Sequence, residues 1–158
     1  MRKRLILVSA CLVGVNCKYN GGNNLKKKIR ELVKAGKAIP VCPEQLGGLP
    51  TPREPAYLTG DGYYVLKRKA KVLTKSGKDV TLNFLRGAKE VLKLAKLLKI
   101  KLAILKARSP SCGLGETYIR GEVSKGDGVT AALLKRNGII IYTEENFQEF
   151  IKQKKKKS

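Results

Sequence analysis

The sequence predicts an α/β fold: one domain, a mostly parallel sheet of about four strands with helices on both faces, and a small hairpin insertion. Three observations lead there. Short apolar segments alternate along the chain with longer segments of helical periodicity. The short segments are apolar on consecutive residues, as in strands buried on both faces, rather than on alternate ones. The length of 158 residues suffices for one hydrophobic core, and neither an internal repeat nor a linker marks a second.

"RLILVS" at 4–9 is the first strand. After a Gly/Asn loop at 20–24, Leu25 to Ala35 reads as a helix with Leu25, Ile29, Leu32 and Val33 on its apolar face and Gly36 as its stop. "AIPVC" at 38–42 is the second strand, and the Pro/Gly-rich stretch 43–62 is an ordered, irregular loop. "YYVLKRKAKVLT" at 63–74 supplies the hairpin. Residues 78–100 form the strongest helix, with Val80, Phe84, Ala88, Val91, Ala95 and Leu98 on one face. "KLAILKA" at 101–107 is the third strand. "DGVTAALLKRNG" at 127–138 is a helix with Asp127 as N-cap and Gly138 as stop. "IIIYT" at 139–143 is the fourth strand, and "EENFQEFIKQ" closes the chain as a helix. The domain therefore covers 1–150, and 151–158 is a basic, disordered tail.

Lys and Arg number 34 and Asp and Glu 12, a formal charge of +22 that favours polyanions such as RNA. Lysine-rich surfaces of heat-adapted proteins are the equal alternative. Arg86, Lys89, Lys93 and Lys96 recur at helical spacing as a basic stripe or a solvated helix face. The absence of histidine excludes Ser-His and Cys-His nucleophile pairs, His-bearing zinc sites and histidine acid–base chemistry. The opening "MRKRLILVSAC" resembles an export signal in its charges and small residues. Its apolar core, Leu5 to Val8, is about half the roughly 7-residue minimum for one, and no segment is long enough to span a membrane. A cytoplasmic protein with reduced cysteines is expected.

Cys11 follows the first strand, Cys42 ends the second, and Cys112 lies in "SPSCG" after the third. Ligands of open α/β sheets bind beyond the carboxyl ends of the strands, so three cysteines remote in sequence reach one edge; Cys17 is near enough to substitute. Free cysteines also serve as small apolar residues, but Pro, Gly and Ser flank these, as in functional loops. A zinc site with Cys17 as fourth ligand is one alternative, though the Cys11–Cys17 spacing is unlike ordinary zinc modules. A thiol-redox pair of Cys11 and Cys17 is another. Three thiolates around an iron–sulfur cluster suit the donor softness better and leave one iron open.

"SACLVGVNCKYNGG", "CPEQLGGLPTPREP", "SPSCG" and "GDGVTAALLKRNGI" resemble, in order, the motifs of the thiouracil desulfidase family, over about residues 5 to 146. The resemblance implies a cytoplasmic Rossmann-like domain that binds a [4Fe-4S] cluster through Cys11, Cys42 and Cys112. It implies non-redox removal of sulfur from a thiolated pyrimidine: the open iron takes the sulfur, water replaces it on carbon, and sulfide leaves. Glu44 matches the family's acid–base residue and Ser109 a serine beside the substrate. The family's Arg-Tyr-Asp-Gly run is "KYNG" here, with Lys18 and Asn20, so substrate contacts in that loop do not carry over.

A 2+ cluster core with three thiolates carries a single net negative charge. That charge and burial would both hold a proton on Glu44; a loop carboxylate braced by Arg53 is the non-catalytic alternative. Ser111 is expected to bind the base edge or the cluster sulfides, or to cap the Pro110 turn with Ser109. Gly47, Gly48 and Gly113 allow close backbone approach to a ligand, or only make turns. Arg53 balances the site's charge or braces its loop, and Tyr19 and Tyr118 either stack on a pyrimidine or, equally, pack in the core. "GDG" at 126–128 reads as a capped turn more than an anion site.

Overall fold

Four parallel strands form the central sheet of the computed structural model, which describes residues 4–156. They are β1 (Ile6–Ser9), β2 (Ala38–Val41), β5 (Leu102–Leu105) and β8 (Ile140–Thr143), in the order β2-β1-β5-β8. The remaining strands are β3 (Ala56–Leu58), β4 (Val72–Thr74), β6 (Glu116–Ile119) and β7 (Glu122–Lys125). The helices are α1 (Lys27–Lys34), α2 (Pro43–Leu46), α3 (Gly62–Leu66), α4 (Thr81–Leu97), α5 (Val129–Arg136) and α6 (Gln148–Lys156).

The side-chain alternation of the central strands explains their continuous apolarity. Leu7, Val41, Ala103, Leu105 and Ile141 face α4 and α5, meeting Val91, Ala95, Ala131 and Leu134. Ile6, Val8, Ala38 and Ile104 face the other way, against Ile29 and Leu32 of α1 and Phe147 and Ile151 beside and within α6. Both faces are covered, as a parallel sheet requires. Each fully buried Leu or Val contributes about 1.5–3 kcal/mol. Pro40 is tolerated within β2 because β2 pairs only with β1 and its other edge is free of ladder bonds.

A second sheet, β4-β3-β6-β7, joins antiparallel pairs (β3/β4 and β6/β7) through a parallel contact of β3 with β6. It packs on α3, α4 and α5 through Leu58, Val65, Val72, Phe84 and Val129. The hairpin expected at 63–74 takes a different form. Residues 62–66 are helical because Asp61 caps them, its carboxylate accepting from Tyr64 N at 3.2 Å. β4 pairs instead with β3 from the loop expected to be irregular.

Three further expectations are corrected. Leu98 is exposed rather than on the buried face of α4, whose last helical residue is Leu97. Leu25 precedes α1 and is exposed. Asp127 does not cap α5: its carboxylate accepts from Gly115 N at 2.7 Å and pairs with Lys135 at 3.5 Å. The open N–H groups of Val129, Thr130 and Ala131 reach the carbonyls of Pro110 and Ser111 instead. The boundary drawn after residue 150 falls inside α6, which runs to Lys156; residues 157 and 158 lie outside the described residues.

α2 crosses α4 at a pair of glycines. A Cβ on Gly47 would strike the backbone of Asn83, and one on Gly87 the carbonyl of Pro43. This contact seats the short helix that follows Cys42. Gly87→Ala ordinarily favours a helix by about 1 kcal/mol. Here it is expected to destabilise the chain by about 1–3 kcal/mol through overpacking, read as a lower urea midpoint; a raised midpoint contradicts the close crossing.

Candidate active site

The carboxyl ends of β1, β2 and β5 open into a cavity of about 780 Å³. Sheet order reverses between β1 and β5: the chain leaves β1 over one face through α1 and reaches β5 over the other through α4. Crevices form at such reversals. Cys11, Cys17, Cys42 and Cys112 all line this one.

Each cysteine is held by its own local structure. Cys11 sits in a single 3-10 turn, Ala10–Val13, that Gly14 ends at φ +96°. Cys42 is the N-cap of α2, with Pro43 at the first helical position, where its ring is already set for the turn. Cys112 is fixed by Ser109, whose hydroxyl oxygen accepts from Ser111 N at 3.2 Å and Cys112 N at 3.1 Å. The carbonyls of Pro110 and Ser111 dock this loop on the start of α5. Cys17 is buried, and its backbone carbonyl lies 3.9 Å from Cys42 Sγ.

Glu44 lies at the centre of the polar groups. Ser111 Oγ donates to Glu44 Oε1 at 2.7 Å and stands 3.4 Å from Cys112 Sγ. Glu44 Oε2 is 3.6 Å from Arg53 Nη2, with the two side chains only 14% and 10% exposed. Arg53 also donates to Cys17 O at 3.0 Å and to Thr51 Oγ1 at 3.1 Å. The Glu44–Arg53 pair weighed in the sequence is therefore formed, and it adjoins the thiols. Ser111 rather than Ser109 is Glu44's partner; the Ser109 oxygen is occupied by two backbone N–H groups.

The thiols differ in acidity. A hydrogen bond with Cys17 holds the Cys42 thiol below its ordinary range, and the same bond raises that of Cys17. Burial raises Cys11 and, more strongly, Cys112, and the Glu44 charge adds to both.

Tyr19 and Tyr118 line the cavity and are exposed, so neither takes the core role weighed for them. Gly47, Gly48 and Gly113 do not line it. Gly47 serves the α2–α4 crossing, and a Cβ on Gly113 would meet the carbonyls of Glu116 and Ser109, so these glycines shape the loops that carry Glu44 and Cys112. Arg86, Lys89, Lys93 and Lys96 are exposed on the outer face of α4, away from the cavity, and Lys93 pairs with Glu90 at 3.1 Å.

Sequence reasoning missed Ser9, Asn24, Tyr57 and Lys106, all of which line the cavity. Asn24 offsets part of the rise that burial gives the Cys11 thiol. Ser9 and Lys106 stand at or just past strand ends, the one signal that would have found them.

Among the described residues, no three His, Cys, Asp or Glu side chains are spaced to hold a single metal ion. The four cysteines share one cavity without meeting at a single-ion coordination point. The donor set is all sulfur, which suits a soft iron–sulfur group over hard cations.

A family model described as 2-thiouracil desulfurase matches residues 6–146. The chain is 46% identical over 151 residues to the uncharacterized protein YbbK of Bacillus subtilis (strain 168), spanning 93% of this chain and 100% of that protein. Among solved structures, the [4Fe-4S]-dependent thiouracil desulfidase TudS superposes with a TM-score of 0.82 at 41% identity, over 93% of this chain and 95% of that one.

The thiol acidities predict an order of modification. In metal-free, reduced protein, Cys42 is expected to be the first cysteine alkylated by iodoacetamide as pH is raised, because its thiolate forms at the lowest pH of the four. Cys17→Ala is expected to shift Cys42 modification to higher pH. Peptide mass mapping that finds Cys112 modified first contradicts this.

Proposed function

The chain belongs to the 2-thiouracil desulfurase family, and we propose that it is a [4Fe-4S]-dependent, non-redox desulfidase that converts a thiolated uracil to uracil and sulfide. The observation that carries the reading is one cavity at the strand ends lined by the sulfurs together with Glu44 and Arg53, with the buried Ser111 hydroxyl fixing Glu44 from behind.

Cys11, Cys42 and Cys112 would hold the cluster. When bound, it supplies a soft Lewis-acid iron matched to thiocarbonyl sulfur rather than to oxygen. The protein's own groups do the rest. Glu44 takes a proton from the attacking water at Oε2, while its Oε1 is fixed by the Ser111 hydroxyl. The Arg53 guanidinium stabilises the carboxylate and ties its loop to the Cys17 carbonyl. Ser109 stands beside the reaction by shaping the Cys112 loop, and its hydroxyl donates to Ser111 Oγ at 3.3 Å, behind the Ser111–Glu44 bond. Tyr19, Tyr57 and Tyr118 offer the cavity wall on which a pyrimidine can stack. Such a donor set needs reduced thiols, so the reading assigns the protein to the cytoplasm. No described helix is long and apolar enough to cross a membrane.

The Cys17–Cys42 hydrogen bond favours one rival, thiol redox chemistry without iron. Protein purified anaerobically decides between them. We expect about four irons and four acid-labile sulfides per chain, and turnover of 2- or 4-thiouracil without added reductant. Cys17→Ser is expected to keep iron and activity, and Cys42→Ser to lose both. Glu44→Gln is expected to keep iron and lose about 10²–10⁴-fold in kcat. Activity that survives iron removal and vanishes on Cys17→Ser contradicts the proposal.

A further inference from the structure

Six cationic side chains line the cavity: Lys18, Arg53, Lys75, Lys78, Lys106 and Arg108. Most are committed or remote from the thiols. Arg53 spends its N–H groups on Pro50 O, Thr51 Oγ1, Cys17 O and Glu44. Arg108 is bonded to both oxygens of Glu145, at 2.8 and 3.3 Å. Lys18 lies 5.6 Å over the Tyr19 ring. Lys75 and Lys78 belong to the exposed turn after β4.

Lys106 differs. Its side chain is largely buried, and its Nζ is pinned by Ala107 O at 3.0 Å and by Glu144 Oε1 at 3.0 Å. Glu144 is itself immobilised, both of its oxygens accepting from Ala107 N. Below, Lys106 N donates to Ser9 Oγ at 2.9 Å, so the ends of β1, β5 and β8 converge on this one lysine. Two of the three ammonium protons are used. No other described group accepts the third, and Lys106 lines the cavity that the four cysteines share.

We propose that Lys106 is a further catalytic residue, whose free N–H holds the sulfur as it leaves the pyrimidine as hydrosulfide. The inference rests on the desulfidase reading. In that reaction, C=S and water become C=O, HS⁻ and H⁺. The C–O bond forms, the C–S bond breaks with its electron pair on sulfur, one water proton goes to sulfur and the other to Glu44. No electron is exchanged with an outside donor. Negative charge accumulates on sulfur, and a fixed ammonium in the same cavity stabilises the charge without surrendering its own proton.

The test compares wild type with Lys106→Met and Lys106→Arg as anaerobically reconstituted holoproteins. Hydrosulfide is titrated and followed by visible absorbance, and kcat and KM are measured separately. We expect Lys106→Met to bind hydrosulfide about tenfold or more weakly and to lose about 10²-fold in kcat with KM nearly unchanged. Lys106→Arg is expected to retain most of both, with iron content unchanged in each. If Lys106→Met does not load iron, Lys106→Gln is read in its place, since it keeps a donor for Ala107 O. An active wild type matched by the neutral variant in hydrosulfide binding and kcat overturns this inference alone. A wild type that loads iron and does not turn over thiouracil overturns the desulfidase reading and this inference with it.

Discussion

The reversal of strand order between β1 and β5 is the constraint on which the site depends. Parallel strands need crossovers, and the crossovers on either side of this point lie on opposite faces of the sheet. The loops that follow β1 and β5 are thereby driven apart, and the cavity lies at their ends. Cys11, Cys42 and Cys112 follow three adjacent strands of that edge. Their convergence is a property of topology before it is one of side-chain chemistry.

The loops that carry the sulfurs are held by backbone bonds that also stabilise the fold. The Cys112 loop caps α5, satisfying helix donors that lack a side-chain cap. The Cys42 turn is seated by the glycine contact of α2 with α4. The Glu44, Arg53 and Ser111 side chains then tie these two loops to the carbonyl of Cys17. Side chains placed this way hold their geometry without relying on a bound group, which is what a preorganised site requires.

The central sheet was legible because its signals are local: continuous apolar runs, helical periodicity and stop residues such as Gly138, which adopts φ +81°. The second sheet was not. Its strands are short, β7 is largely exposed, and β3 pairs with β6 through Leu58 and Ile119, far apart in the chain, which no window of sequence reveals. Asp127 carried a cap signal, but Gly115 N offered its carboxylate a tertiary partner, and the carbonyls of the Cys112 loop took over the cap. Within the site, cysteine position at strand ends was readable. The exchange of parts between Ser109 and Ser111, and the pinning of Lys106 by Glu144, depend on contacts between separate loops.

The most direct test of the account is ⁵⁷Fe Mössbauer spectroscopy of the anaerobically reconstituted protein, with and without thiouracil. Three sulfur-anchored corners and one open corner predict that a single iron of the four changes its isomer shift when the substrate binds. A spectrum in which all four irons respond alike, or none does, would contradict a three-cysteine site with one vacant position.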